Sequence, residues 1–197
     1  MIIIAGHGPS MEGSGLGEVI DSYDCPIVRF NGFTDTCSAV DRGNRVDYLC
    51  TTTLQFPRFL AHRVFPTREV WVYNTNNVLS HVNKYNRGPL YLTNLTGWLE
   101  IYRGLRARKT ANKFCKGLAA IIIAAMRLGV SKMVLFGFDN LWLGKSDNFR
   151  TLGTSKFKGV YTTKHDYAAQ RKMIDMVADC YNVDISHWSA NEAEKTN

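Results

Sequence analysis

The sequence predicts an α/β protein with a mostly parallel central sheet that helices cover on both faces. Short apolar runs typical of strands alternate with helical stretches along the 197 residues, which favours parallel strands joined by crossover connections. These runs lack a regular polar face, which indicates strands buried on both sides. The length suits one domain, which we expect to span residues 1–188, with a polar, frayed tail at 189–197.

Turn residues and short helical pieces separate the predicted elements. Five strand-like runs come first, separated by turns rich in Gly, Asn and Asp or by short helical pieces: Ile2–Ala5, Pro26–Phe30, Val46–Cys50, Glu69–Tyr73 and Leu90–Leu92. Lys113–Leu128 is predicted to be a deeply packed helix because it is apolar almost all round, and Gly129 is placed to cap it. Lys132–Phe136 is a continuous apolar strand. An amphipathic helix at His165–Tyr181 and a short strand at Val183–Ile185 complete the pattern.

Composition and charge narrow the functional class. Apolar residues make up 45% of the chain, which excludes a disordered protein. No apolar run approaches the ~20 residues of a membrane-spanning helix, and no basic leader precedes the first strand. We therefore expect a cytoplasmic protein without a membrane partner, in the host cytoplasm if the chain is viral. The net charge of +7 favours a nucleotide ligand and leaves a polyanionic acceptor open.

Small and polar residues follow the ends of several predicted strands. Ligands of open α/β sheets bind outside the carboxyl ends of the strands, so these residues are expected to meet in one crevice. Backbone N–H groups of a glycine-rich turn suit a phosphate. We expect nucleotide binding by Gly6, His7, Gly8, Pro9, Ser10, Asn31, Thr51, Thr52, Gly137, Phe138 and Asp139.

A histidine at the start of the last predicted helix is the candidate catalytic residue. His165 opens the stretch His-Asp-Tyr-Ala-Ala-Gln, and an imidazole suits proton transfer near neutral pH. The basic, aperiodic stretch Leu141–Tyr161 is predicted to be a mobile active-site loop. We interpret His62, His81 and His187 as structural or solvated, since nothing pairs them with a carboxylate or a cysteine at metal-ligand spacing.

The order of these segments resembles the eukaryotic-type sialyltransferases and, more distantly, the bacterial lipooligosaccharide sialyltransferases. The family's large sialyl motif is similar to Gly6–Ser10, Gly13-Ser14-Gly15, Gly17, Ile20-Asp21, Asp24 and Arg29-Phe30-Asn31, with a continuation at Asp41–Asp47. The small motif resembles the stretch from Cys115-Lys116-Gly117 to Gly137-Phe138-Asp139, and the very small motif resembles His165–Gln170.

The resemblance implies a single Rossmann-like domain, a sialyltransferase-like variant of the GT-A fold. It implies an inverting glycosyltransferase that uses a CMP-sugar as donor substrate and no cofactor or metal ion. Asn31 and Gly6–Ser10 would hold the cytidine monophosphate, and His165 would be the general base. The chain has no Asp-x-Asp motif to hold a divalent ion, so helix N-termini and basic side chains must neutralise the phosphate. Near the donor sugar or phosphate we expect Cys115, Lys116, Gly117, Lys145 and Tyr161.

Four positions depart from the family pattern. His7 replaces the usual Asn of the first turn, and Gln170 replaces the Glu of the very small motif. Cys115-Lys116 stands where the family carries Ser/Thr groups, so the donor sugar need not be sialic acid. The His-Tyr pair of the family's third motif is not recognisable, which leaves its phosphate-stabilising role unassigned.

Two acceptors and one non-catalytic alternative stay open. The family implies a glycan hydroxyl, whereas the positive charge and small size favour a hydroxylated base in DNA, as in viral DNA-modifying glycosyltransferases. Candidate nucleic-acid contacts form a basic cluster at Arg103, Arg106, Arg108 and Lys109. The alternative is a nucleotide- or nucleic-acid-binding module that keeps the fold without the chemistry. The sequence does not indicate an oligomeric state.

Overall fold

A computed structural model of the chain describes residues 1–6, 8–11, 13–30, 38–52, 66–73, 89–107, 114–143 and 166–188. A 3-10 helix at Pro9–Met11 follows the first strand. The helices and strands, in chain order, are β1 (Ile2–Ala5), α1 (Gly17–Ser22), β2 (Ile27–Phe30), α2 (Ala39–Arg42), β3 (Tyr48–Thr52), β4 (Glu69–Tyr73), β5 (Leu90–Thr93), α3 (Thr96–Leu105), α4 (Lys116–Leu128), β6 (Lys132–Phe136), α5 (Asp139–Leu143), α6 (Tyr167–Tyr181) and β7 (Asp184–His187).

The described strands form one parallel sheet in the order β5-β4-β3-β2-β1-β6-β7. Ile4 of β1 lies in register with Val28 of β2 on one side and with Leu135 of β6 on the other. The chain runs outward from β1 to β5 and then returns to place β6 on the opposite side of β1. The predicted fold class is confirmed, and the strand order reverses between β1 and β6, where such sheets bind ligands.

Both faces of the sheet are covered. Alternate residues of β1 point to opposite faces, so Ile2 and Ile4 pack in the cluster that contains the apolar side of α4 and of α6. Ile3 packs on the other face with Ile20 of α1 and with Met11. This two-sided burial explains why the strand-like runs carry no regular polar face.

Capping residues set the starts of the two long helices. Cys115 has an extended backbone and its Sγ accepts the Leu118 N–H at 3.4 Å, so α4 begins at Lys116 and not at the predicted Lys113. Asp166 caps α6 by accepting the Ala169 N–H at 3.0 Å. The predicted helix start at His165 is therefore wrong by two residues, because Asp166 is the cap and α6 begins at Tyr167.

The predicted loop at Leu141–Tyr161 begins inside a helix. Residues up to Leu143 belong to α5, which has five residues and is too short to give a periodic pattern in the sequence. The rest of that loop, residues 144–161, and the predicted tail at 189–197 lie outside the described residues.

Charged residues in the stretch that resembles the large sialyl motif connect α1 to β2 and to the turn before β3. Arg29 of β2 is buried and lies 3.5 Å from the Asp21 carboxylate of α1, measured from Nη2 to Oδ1. Asp21 also accepts the backbone N–H groups of Asn44 at 2.6 Å and Arg45 at 3.1 Å. These residues join α1 to β2 and to the turn before β3.

Candidate active site at the carboxyl edge of the sheet

The turns that follow β1 and β6 contact each other at the carboxyl edge. The Gly6 N–H donates to the Phe136 carbonyl oxygen at 2.7 Å, and the Gly8 N–H donates to the Gly137 carbonyl oxygen at 2.8 Å. The Ser10 N–H donates to Asp139 Oδ2 at 3.0 Å. The structure therefore brings together the two segments expected to meet at the point where the strand order reverses.

These three N–H groups are not available to a phosphate. Each one donates to a protein oxygen, and the Asp139 carboxylate adds a negative charge at the position where a phosphate was expected. The N–H groups of Gly6, Gly8 and Ser10 are thus used within the protein, and nucleotide binding by the Gly6–Ser10 turn stays a prediction. Because like charges repel, a phosphate bound at this edge must lie away from Asp139.

The close approach of the two turns explains their glycines. A Cβ built on Gly8 would lie 2.6 Å from the Gly137 carbonyl oxygen and would also overlap Asp139 Oδ2. Gly137 has a φ of +67°, and a Cβ there would lie 2.6 Å from Met11 Cγ. Both positions therefore require glycine, one for space and the other for space and backbone conformation.

The Phe138 ring joins three segments that are far apart in the sequence. It packs edge-to-face against Phe30, the residue before Asn31, with the ring centroids 5.6 Å apart. A Cβ on Gly117 would lie 2.7 Å from Phe138 Cε1, and a Cβ on Gly6 would lie 3.2 Å from Phe138 Cε2. The turn after β1, the end of β2 and the first turn of α4 thus surround one aromatic ring.

Hydrogen bonds join the start of α6 to the start of α4 and to the end of α3. Gln170 is fully buried in the first turn of α6, and its Oε1 accepts the Cys115 N–H at 2.8 Å. Asp166 Oδ2 accepts the Ala107 N–H at 2.9 Å, and the Asp166 N–H donates to Tyr102 Oη at 3.0 Å. The segments that resemble the small and very small motifs are therefore in direct contact. The contact between α4 and α6 is made by the amide oxygen of Gln170, at the position where the family carries the carboxylate of Glu.

Replacing Gln170 with methionine is expected to lower the free energy of unfolding by about 0.5–1.5 kcal/mol, because the partly buried Cys115 N–H loses its acceptor. Lys172→Met is the matched control, since Lys172 is exposed on the same helix and its replacement should change stability by less than about 0.5 kcal/mol. Urea unfolding of both variants measures the difference. Equal losses in the two variants would show that the Gln170 hydrogen bond contributes nothing.

Other predicted donor residues lie at the end of β3 and at the start of α4. Thr51 is buried and Thr52 half-buried at the end of β3, and Lys116 is half-buried as the first residue of α4. Burial raises the pKa of the Cys50 thiol, and the nearby Lys116 charge opposes that shift. Burial likewise raises the pKa of Cys115 to about 11, so its sulfur is a neutral thiol at physiological pH and caps the helix without acting as a nucleophile.

Several predicted residues lie beyond the part of the chain that the structure describes. They are His7, Asn31, Arg108, Lys109, Lys145, Tyr161 and His165. Of the basic cluster, Arg103 is exposed on α3 and Arg106 is half-buried just after it.

Within the described ranges, no helix is long and apolar enough to cross a bilayer. In those same ranges, no three His, Cys, Asp or Glu side chains are grouped to hold a metal ion.

Sequence reasoning missed His187. Its Nε2 lies 3.8 Å from Asp139 Oδ1, within ion-pair distance, and its ring stacks on Trp142 with the centroids 5.6 Å apart. Pairing of β6 with β7 brings the Asp139 carboxylate close to His187 although the two residues are distant in the sequence, and the low exposure of His187 agrees with its interpretation as a structural residue. One signal was available: His187 lies two residues after the end of the last predicted strand, at the edge where Asp139 also lies.

Solved sialyltransferase structures share this fold. Sialyltransferase CST-II in complex with a trisaccharide acceptor and CMP is 15% identical, with 94% of this chain and 79% of that chain covered and a TM-score of 0.57. CstII from Campylobacter jejuni with the substrate analogue CMP-3FNeuAc is 17% identical, covering 94% and 80%, with a TM-score of 0.58. A mammalian sialyltransferase with Gal-beta-1-3GalNAc-ortho-nitrophenol is 13% identical, covering 93% and 68%, with a TM-score of 0.50. At these identities the likeness shows the fold alone. No protein family and no curated protein matches the sequence.

Proposed function

We propose that this chain is a glycosyltransferase that moves a sugar from a CMP-activated donor to an acceptor hydroxyl, with inversion and without a metal ion. The observation that carries the proposal is the meeting of three motif segments around Phe138, where Gly6, Phe30 and Gly117 all approach its ring. This meeting point lies beside the reversal of strand order, where α/β sheets bind ligands. The fold is also that of sialyltransferases solved with CMP and with CMP-3FNeuAc.

The donor nucleotide is proposed to lie against Gly8, Ser10 and Phe138, with Asn31 as a further contact. Since the N–H groups of Gly6, Gly8 and Ser10 already donate within the protein, we place the phosphate at the start of α4. That 13-residue helix carries a partial positive charge at its N-terminus, and Lys116 adds a full charge as its first residue. Lys145 and Tyr161 are proposed to complete the neutralisation.

His165 is proposed to take the proton from the acceptor hydroxyl. As that oxygen bonds to the anomeric carbon, the bond from this carbon to the phosphate oxygen breaks and CMP leaves with the electron pair. The residue that follows His165 supports this role by its position. Asp166 is held by hydrogen bonds to Ala107, Ala169 and Tyr102, and Gln170 joins the same helix turn to Cys115 at the donor end of α4.

A glycan hydroxyl is the acceptor that we propose, with a hydroxylated DNA base as the second candidate. A contact between α3 and the residue before α6 is a reason to test the DNA acceptor as well. The Ala107 N–H donates to Asp166, which places the end of α3, with Arg103 and Arg106, beside the start of α6. Part of the basic cluster therefore adjoins the proposed acceptor side, where it would contact backbone phosphates.

Release of CMP from a panel of CMP-sugars tests the proposal. Each donor is paired with glycan acceptors or with hydroxymethylated DNA, in the presence of EDTA. We expect release that depends on one acceptor class and is unaffected by EDTA. A DNA acceptor also predicts activity that falls steeply with salt. Absence of release from every pairing, with CMP still bound, would support the non-catalytic binding module.

Lys116→Met is expected to weaken donor binding about tenfold or more, because a charge-assisted contact with the phosphate is lost. The Kd of CMP-3FNeuAc from titration calorimetry measures this effect, with Lys172→Met as the control for removal of a positive charge. The unphosphorylated nucleoside cytidine should bind both variants alike. If Lys116→Met binds the analogue as the control does, the phosphate does not lie at the start of α4.

A further inference from the structure

One carboxylate at the carboxyl edge lies close to both the turn after β1 and a histidine. Asp139 Oδ2 accepts the Ser10 N–H at 3.0 Å, and its Oδ1 lies 3.8 Å from Nε2 of His187. The His187 side chain is only 8% exposed, whereas that of Asp139 is 21% exposed. The Asp139 carboxylate is therefore the more exposed of the two groups, and His187 is its more deeply buried neighbour.

The surroundings of His187 hold its ring in place. Trp142 of α5 stacks on the imidazole at an interplanar angle of 18°. The Arg171 guanidinium of α6 lies over the Trp142 ring, 4.2 Å from its centroid, and pairs with Asp175. Charged groups near the imidazole include Asp139 from α5 and, beyond the indole, the Arg171–Asp175 pair from α6. A neutral partner, Trp142, separates the imidazole from the Arg171 charge.

We propose that the Asp139–His187 pair sets the affinity of this edge for an anionic donor, with protonated His187 compensating the Asp139 carboxylate. The proposal rests on the function proposed above. A CMP-linked donor carries a phosphodiester charge. When His187 is neutral, the Asp139 carboxylate repels that charge, and when His187 is protonated, the pair is neutral overall. Donor affinity should therefore be highest below the pKa of His187 and fall as the pH rises through it.

His187 acts through Asp139 and is a positioning residue, distinct from the proposed base. His165 must be neutral to accept a proton, so its titration makes transfer rise with pH. His187 must be protonated for tight donor binding, so its titration makes kcat/KM fall at higher pH. The two histidines together predict a bell-shaped pH profile whose alkaline limb belongs to donor binding.

Titration calorimetry with two ligands separates the charge effect from any other effect of pH. CMP-3FNeuAc and cytidine share the base and ribose, and neither changes charge between about pH 5.5 and about pH 8.5, the range in which a histidine titrates. For the wild type we expect the affinity for CMP-3FNeuAc to fall about fivefold across this range, as for one charge at moderate distance. Cytidine affinity should stay constant.

Two variants test whether Asp139 and His187 cause the pH dependence of the CMP-3FNeuAc affinity. Asp139→Asn keeps an oxygen that accepts the Ser10 N–H and removes the charge, so it should bind CMP-3FNeuAc more tightly than the wild type at high pH. A gain of affinity is a result that structural damage does not produce. His187→Gln leaves the carboxylate uncompensated, so its affinity should be weak and independent of pH.

The results distinguish a failure of the role proposed for His187 from a failure of the proposed glycosyltransferase function. If CMP-3FNeuAc binds but its pH dependence persists in both variants, the role of His187 is wrong and the donor site stands. If it binds at no pH, both proposals fall. An NMR titration of the His187 ring gives a readout that needs no ligand: Asp139→Asn should lower the pKa of His187. An unchanged pKa would overturn the pairing itself.

Discussion

Replacing His165 with alanine is expected to reduce sugar transfer about 10²–10⁴-fold while the Kd of CMP-3FNeuAc stays close to that of the wild type. A positioned general base contributes a factor of this size. The donor contacts that we propose lie on other segments, so binding should survive the change. Initial rates of CMP release at saturating donor and acceptor, together with calorimetric Kd values, measure the two effects separately.

His62→Ala is the matched control for His165→Ala, because His62 is interpreted as structural or solvated and has no place in the proposed chemistry. It should transfer sugar at nearly the wild-type rate. The His165→Ala variant should also lose the acid limb of the pH profile, which a general structural defect would not remove. A His165→Ala protein with wild-type rates and an intact acid limb would show that another residue is the base.

Replacing Gly8 with alanine is expected to abolish measurable binding of CMP-3FNeuAc and to lower the free energy of unfolding by about 1–3 kcal/mol. The added Cβ would lie 2.6 Å from the backbone oxygen of Gly137. Because this oxygen belongs to the backbone, no rotation of a side chain can relieve the overlap. The Gly8–Gly137 hydrogen bond would have to open, and the turn would move away from Asp139. Calorimetry and urea unfolding measure the two losses.

Gly97→Ala provides the control for Gly8→Ala. Gly97 lies in α3, and a Cβ built there meets no atom within 4 Å. Alanine is the better helix former, so this variant should gain up to about 1 kcal/mol of stability. It should bind CMP-3FNeuAc as the wild type does. A Gly8→Ala protein that binds the analogue normally would show that the nucleotide does not contact this turn.

The inner strands were predicted well because burial on both faces leaves a continuous apolar run in the sequence. β4 and β6 have the predicted bounds, whereas β3 begins at Tyr48 and not at Val46. Asp47 explains the shift. Its carboxylate accepts the Ile27 N–H at 2.9 Å and the Thr67 hydroxyl at 2.7 Å, which ties the chain down just before the strand begins. A buried polar anchor of this kind is invisible to a hydrophobic pattern.

The candidate site was predicted only in part, for a related reason. The residues expected at the carboxyl edge follow from strand ends, and the structure brings Gly6–Ser10 and Gly137–Asp139 together there. The acceptors of the turn N–H groups are remote in the sequence, so local chemistry could not show that Phe136, Gly137 and Asp139 accept the N–H groups of Gly6, Gly8 and Ser10. The pairing of His187 with Asp139 depends on strand order in the same way. Such contacts become visible only when the topology is known.

A crystal structure of this chain with CMP-3FNeuAc tests the central claim most directly. We predict that the cytidine contacts Gly8 and Phe138 at the carboxyl edge between β1 and β6. The phosphate should lie nearer to Lys116 than to the Ser10 N–H, because Asp139 already accepts that N–H. An analogue bound elsewhere on the molecule, or a phosphate that displaces Asp139 from the turn, would contradict the account.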